Sequence, residues 1–229
     1  MKRERIMTKQ RVLLATTATA ALACGSAAAQ SAGSWLVKAG VGYVTPDVDS
    51  GSLGAPSTPN TRIDIDNAAA LVASVTYFYT EHLSVEAQAS LPFKHDVTGA
   101  GAIAGAGRIA TFKQMSPTVF GQWRFGAASA SLRPYVGVGI TWVNFFDEEG
   151  SGTLTALVQP GGPPVRLSID SAFGMSPQVG LSIKLAERWM FDASVVKSYI
   201  KTTAKLSSGQ AIDIDFDPLS VNLSVAYRF

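Results

Sequence analysis

The chain has 229 residues, of which 47% are hydrophobic and 16% charged, with 21 glycines and a formal net charge of +2. So near a charge balance, it carries no electrostatic footprint for a nucleic-acid partner. Its one cysteine, Cys24, falls in a segment expected to be removed, so the mature chain is expected to hold no thiol, disulfide or metal site and to need no cofactor.

Residues 1–29 read as a secretory signal. Lys2, Arg3, Arg5, Lys9 and Arg11 make a basic start, Val12 to Ala23 a short apolar core, and Ala27-Ala28-Ala29 a cleavage site before Gln30. The core is too short for a transmembrane helix. A lipid anchor on Cys24 would need a better residue than Ala21 three places earlier. After residue 30 no stretch approaches the roughly eighteen consecutive apolar residues of a spanning helix. If the mature chain, 30–229, sits in a membrane, it must do so as a closed barrel, because only there are all backbone groups paired.

From Trp35 onward the chain repeats an alternating run, a loop and another alternating run. In the first, Trp35, Val37, Ala39, Val41 and Tyr43 share one face, and Leu36, Lys38, Gly40, Gly42 and Val44 the other. Residues about 46–66, rich in Pro, Gly, Ser and Asp, read as a loop. Ala68 to Tyr79 is the second run. A tight turn at Thr80-Glu81-His82 leads to the third, where Leu83, Val85, Ala87, Ala89, Leu91 and Phe93 oppose Ser84, Glu86, Gln88 and Ser90. A glycine-rich loop is expected over about 94–108. The fourth run, about Ile109 to Phe125, sets Met115, Pro117, Val119, Trp123 and Phe125 against Gln114, Ser116, Thr118, Phe120, Gln122 and Arg124.

The fifth run opposes Leu132, Pro134, Val136, Val138, Ile140 and Trp142 to Arg133, Tyr135, Gly137, Gly139, Thr141 and Val143. The longest break, about 146–172, opens with Asp147-Glu148-Glu149 and has room for a short helix. The sixth run, Phe173 to Leu185, is the cleanest, and Ala186-Glu187-Arg188 turns into the seventh, from Trp189. A last loop, about 204–217, precedes Leu219 to Phe229, where Leu219, Val221, Leu223, Val225, Tyr227 and Phe229 alternate without a break with Ser220, Asn222, Ser224, Ala226 and Arg228.

The eight runs predict an all-β fold, an eight-stranded antiparallel transmembrane barrel. The breaks alternate long and short, which puts long loops outside and short turns, with both chain ends, at the periplasm. On the apolar faces Trp35, Tyr79, Trp123, Phe125, Trp189, Phe191, Tyr227 and Phe229 fall at the periplasmic ends, and Tyr43, Phe93, Trp142, Phe173 and Tyr199 at the opposite ends. Two aromatic girdles around an aliphatic band match a bilayer. Lys197 breaks the pattern by falling on the lipid-facing parity, so either a bulge shifts the register or the side chain snorkels upward.

Several stretches resemble one family. Leu91-Pro-Phe-Lys-His-Asp96 is similar to the proline-aromatic-basic-histidine segment that ends the third strand of the outer membrane protein W (OmpW) family. Arg133-Pro-Tyr-Val-Gly-Val-Gly-Ile140, followed by Asn144-Phe-Phe-Asp147, resembles its fifth strand. Pro117-Thr118 with Gln122-Trp123, Gln178-Val-Gly180 and the Tyr227-Arg-Phe229 end also match, so the resemblance runs through the mature chain and is weakest in the loops. It implies a barrel in the outer membrane of a Gram-negative cell, among lipid and lipopolysaccharide, with a narrow hydrophobic lumen linked to uptake of small hydrophobic molecules. The terminal Phe229 looks like the signal read by the barrel-assembly machinery.

The inward residues sort by depth. Lys38, Glu86, Arg124, Arg133, Lys184, Asp192 and Arg228 fall near the periplasmic ends, where mixed charges are expected to pair as a plug. Val44, Val72, Val143, Val196 and Ile200 lie higher, with Phe120 nearer the middle, as a candidate apolar channel or simply as the filling of a small barrel. An apolar ligand above a charged plug would leave sideways into the bilayer, and Pro117 or Pro177, which lack a ladder donor, are candidate gaps or tolerated bulges. A barrel whose loops bind surfaces, phage or toxins is the alternative. Catalysis is not expected: adjacent His95 and Asp96 point to opposite faces, and His82 lies in a periplasmic turn.

Overall fold

The computed structural model describes residues 30–54, 57 and 59–229. The expected signal segment and Cys24 lie outside the described residues. The first half of the chain holds β1 (Trp35–Thr45), β2 (Val48–Ser50), β3 (Thr61–Ile65), β4 (Ala68–Phe78), β5 (Leu83–Ser90), β6 (Phe93–Gly101), β7 (Arg108–Met115) and β8 (Thr118–Arg124). The second half holds β9 (Leu132–Gly150), α1 (Gly152–Val158), β10 (Leu167–Ile169), β11 (Ala172–Lys184), β12 (Trp189–Lys197), β13 (Lys201–Leu206), β14 (Ala211–Phe216) and β15 (Leu219–Arg228).

Eight strands close into an antiparallel barrel, in the order β1, β4, β5, β8, β9, β11, β12 and β15. The ring shuts where β15 meets β1, in unbroken register from Leu36↔Arg228 to Thr45↔Leu219. The alternation seen in the sequence therefore sets which face each residue takes. The result is a protein turned inside out: Leu71 and Ile140 are 59% and 66% exposed on the outside, while Glu86 and Arg124 are 2% and 0% exposed inside. Polar groups inside and aliphatic groups outside suit a wall surrounded by lipid.

Aromatic rings bound the outer band. At the periplasmic end Trp35 packs on Tyr77 with centroids 4.8 Å apart, and Tyr227 on Trp189 and Phe229 at 4.9 Å each. Tyr43, Trp142, Phe173 and Tyr199 are exposed at the other end. Phe93 corrects the expected upper girdle, because it is buried. Leu91 and Pro92 are both exposed, so the strand slips by one residue there and Phe93, His95 and Val97 turn inward. Lys197 keeps its register opposite Leu219, and its ammonium reaches up to Asp47 Oδ2 (3.1 Å) and to the Asp217 carbonyl (2.6 Å). Snorkelling, not a bulge, is what accommodates it.

The four expected loops are corrected more broadly. Residues 46–66, 94–108, 146–172 and 204–217 hold β2, β3, β10, β14, α1 and parts of β6, β7, β9, β11 and β13. β9 alone has 19 residues. At about 3.3 Å per residue it runs ~60 Å, well beyond an apolar band ~25 Å tall even when tilted. The barrel wall thus continues above the membrane as an upper storey. There β3, β6 and β7 lean on the top of β9, and β10, β13, β14 and β2 form a second sheet. Short turns join the strands at the end opposite this storey. Helix α1 caps on Ser151, whose side chain accepts from Leu154 N at 3.2 Å, and turns Leu154 into the storey's core.

Candidate functional site

The lumen is layered from the periplasm upward. At the bottom Lys38 on β1 lies between two carboxylates, with Nζ 2.8 Å from Glu86 Oε2 on β5 and 3.0 Å from Asp192 Oδ1 on β12. Asp192 also accepts from Tyr135 Oη (2.8 Å) and Ser182 Oγ (2.6 Å). Glu86 accepts from Thr76 Oγ1 (3.2 Å) and Gln122 Nε2 (2.6 Å), and Gln122 reaches on to Gln178 Oε1 at 2.8 Å. All of these groups are buried. Buried charges persist only when paired and hydrogen-bonded, and here each is held from several strands at once. Tyr135 sits directly opposite Gly180, where any Cβ would collide with its ring, so glycine is what lets the aromatic lie across so narrow a lumen.

The two arginines expected to pair with these carboxylates do not. Arg124 donates to Ser182 Oγ (2.9 Å), Gln122 Oε1 (2.9 Å) and Ser84 Oγ (3.3 Å), and its guanidinium lies over Tyr135 and Phe78 at 4.3 Å and 5.0 Å. Arg133 turns down instead, to Gln30 Oε1 (2.9 Å) and the carbonyl of Glu81. Lys38 is thus the direct partner of both acids. Arg228 is buried at the periplasmic mouth beside Met190, while Lys184 is exposed on its rim, where hydration suits a charge better than the plug would.

Above the charges runs a belt of hydroxyls. Thr118 Oγ1 meets Thr141 Oγ1 at 2.8 Å, Thr141 meets Ser176 Oγ at 2.6 Å, and Ser176 meets Ser198 Oγ at 2.8 Å. The six residues expected to form one apolar channel are all buried, but they do not form one surface. Phe120 and Val196 lie low, opposite Glu86 and Gln178. Val44 and Val72 cluster with Ala68 and Phe93, while Val143 and Ile200 join a larger apolar core above.

That core encloses a chamber of about 100 Å³ in the upper storey, lined by Ile65, Ile109, Phe112, Ile169, Leu206 and Ile214 and roofed by Leu154. Apolar cavities of about 150 Å³ hold a benzene-sized ligand, so this one is close to useful size. The sequence reading missed most of its walls because, Ile109 and Phe112 apart, they lie in segments read as loops. The signal was present in the alternations Arg62-Ile-Asp-Ile-Asp66 and Ala211-Ile-Asp-Ile-Asp-Phe216.

The wall is broken on one side. β5 and β8 pair from Leu83↔Trp123 to Gln88↔Thr118, and β6 and β7 take over only at Phe93↔Gln114. Between these points residues 89–92 and 115–117 face each other without ladder pairing. Each side holds instead to its other neighbour, Leu91 N to Leu71 O at 2.8 Å and Trp142 N to Pro117 O at 3.0 Å. Pro92 and Pro117 supply no donors there. A groove of about 750 Å³ lies over the seam, floored by Ala73, Ala87, Ala89 and Pro117, and the inward residues Gln88 and Thr118 reach it from behind. Pro177 differs. It pairs in register with Val138, and the ladder that lapses beside it resumes at the Met175↔Tyr199 bridge, across the Ser176–Ser198 contact. Pro177 marks a local interruption rather than an open seam. His95 and His82 stand apart, the first buried on β6 and the second bonded through Nδ1 to Arg124 O at 2.9 Å.

A closed ring, inverted faces and paired aromatic girdles define an integral β-barrel of a membrane. The sequence pattern of the OmpW family matches residues 31–229. The chain is 35% identical over 222 residues to outer membrane protein W of Salmonella typhi, covering 94% of this chain and 98% of that protein. It is 25% identical over 190 residues to outer membrane protein AlkL of Ectopseudomonas oleovorans, covering 82% and 77%. The crystal structure of the outer membrane protein OprG from Pseudomonas aeruginosa matches with a TM-score of 0.78 at 25% identity, covering 87% of this chain and 97% of that one. The chain belongs to the OmpW family and is an outer-membrane β-barrel of the OmpW, AlkL and OprG type.

Proposed function

We propose that the barrel is a narrow hydrophobic channel, not an enzyme, that takes small apolar molecules from outside and releases them sideways into the outer membrane. The seam between β5–β6 and β7–β8 is the observation that carries this reading. An apolar molecule in the upper chamber meets, below, a lumen filled by two ion pairs and their hydrogen bonds. Passing it would strand those charges without partners, whereas passage through the seam trades one apolar environment for another. The partners in this reading are the apolar cargo, the surrounding lipid and lipopolysaccharide, and the assembly machinery that recognises Phe229.

The test is uptake into cells lacking other barrels, comparing an alkane or aromatic with a small sugar. A charge at Val143 or Ile200, both in the core around the chamber, should lower apolar uptake about tenfold, which needs only ~1.4 kcal/mol of desolvation, and leave the sugar unchanged. Equal effects on both solutes, or uptake unaltered by Val143→Asp and Ile200→Asp, would sink the channel reading and favour a receptor barrel.

A further inference from the structure

Beside the chamber two buried polar atoms have no hydrogen-bond partner among the described residues, His95 Nε2 and Gln114 Oε1. His95, on β6, is 0% exposed, and its Nδ1 lies 2.8 Å from the carbonyl oxygen of Asp66. A carbonyl only accepts, so Nδ1 carries the proton. Burial lowers the histidine pKa, which keeps the ring neutral and leaves Nε2 as a bare acceptor. The ring stacks on Phe112, a chamber wall, at 5.2 Å, and meets Phe216 edge-on at 6.2 Å. Gln114, on β7, is 2% exposed and uses Nε2 on Ser116 Oγ at 2.6 Å.

The register places these two side chains together. Phe93 faces Gln114 and His95 faces Phe112, so His95 and Gln114 are diagonal neighbours on the inward side of one hairpin, with Cα atoms roughly 7–8 Å apart. One hydroxyl about 2.8 Å from each would span them, donating its proton to His95 Nε2 and accepting from the Gln114 amide once that amide turns over and its oxygen accepts from Ser116 Oγ instead. Gln114 also adjoins the unpaired stretch 115–117, so the pair sits where chamber and seam approach one another.

We propose that His95 Nε2 and the Gln114 amide form a polar recognition point that selects apolar molecules bearing a single hydroxyl, alcohols or phenols, over the bare hydrocarbon. The inference rests on the channel reading and names its substrate class. A hydroxyl fits better than other heads because it donates to the bare nitrogen and accepts from the amide N–H. An ammonium would find no carboxylate in the chamber lining, and a carboxylate would meet the bare nitrogen with no proton to give it. The apolar tail would lie among Ile65, Val97 and Phe112.

The experiment uses the full-length barrel in lipid nanodiscs with 15N-labelled histidine. It is titrated with 1-hexanol and with its isomer 1-methoxypentane, which is as apolar but has no donor. Hexanol should move the His95 Nε2 resonance, leave His82 unmoved and bind about tenfold tighter than the ether. His95→Phe should bring hexanol down to the affinity of the ether. Gln114→Leu, which leaves the His95–Asp66 bond intact, should lose part of the preference and decides the matter together with the Nε2 shift if His95→Phe does not fold. Equal binding of alcohol and ether with an unmoved Nε2 resonance would overturn the inference and leave the channel standing. Binding of neither ligand would overturn both.

Discussion

Lys38 holds the floor of the lumen together, and it does so because of what lies on either side of it. Its ammonium is shared between Glu86 and Asp192, so removing it leaves two buried carboxylates facing each other. Breaking a buried pair typically costs about 3–5 kcal/mol, because an uncompensated charge stays behind. Lys38→Met should lower stability by roughly that amount and raise ion conductance through the relaxed plug. Lys184→Met, at an exposed rim position, should change stability by no more than about 0.5 kcal/mol. Urea unfolding in detergent and planar-bilayer conductance would check both. Equal stabilities for the two variants would mean that the ion pairs do not hold the floor. Arg124 shows how a residue can be placed correctly and still be paired wrongly. Parity puts it inside, but neighbours on Gln122, Ser84 and Ser182, not carboxylates, take its donors.

At the scale of elements, β15 closes the ring against both β1 and β12, and Phe229, just past its end, anchors the aromatic girdle there. Phe229 packs on Tyr227, and its amide donates to Trp35 O at 3.0 Å. Deleting Phe229 should therefore reduce the amount of barrel that runs fast on an unheated gel, and wild-type yields would show that the end is dispensable. The strands of the ring were legible because period-two alternation reports directly on the two faces of a wall. The upper storey was not, since its strands are three to nine residues long and set among glycine, proline and aspartate, which outweigh a short alternation such as Ile212, Ile214 and Phe216. Phe93 was misplaced for a related reason. A single slip at Leu91-Pro92 reverses the faces of the stretch that follows it directly, and composition does not announce a slip. The hydroxyl belt was missed because Thr118, Thr141 and Ser176 read as ordinary inward polar residues until the register set them at one level.

Taken whole, the molecule is a membrane barrel extended outward by a second storey, with an apolar chamber above, charges below and one side seam between. In the proposed channel these parts would give an apolar molecule one favourable direction. The most direct test is a crystal structure of the protein soaked with a short brominated alkane, whose bromine is located by anomalous scattering. The account predicts bromine in the chamber near Phe112 and Ile214 and in the groove beside Ala89 and Pro117, with none between Glu86 and Asp192. Bromine below Lys38, or at the Pro177 interruption with the β5–β8 groove empty, would contradict it.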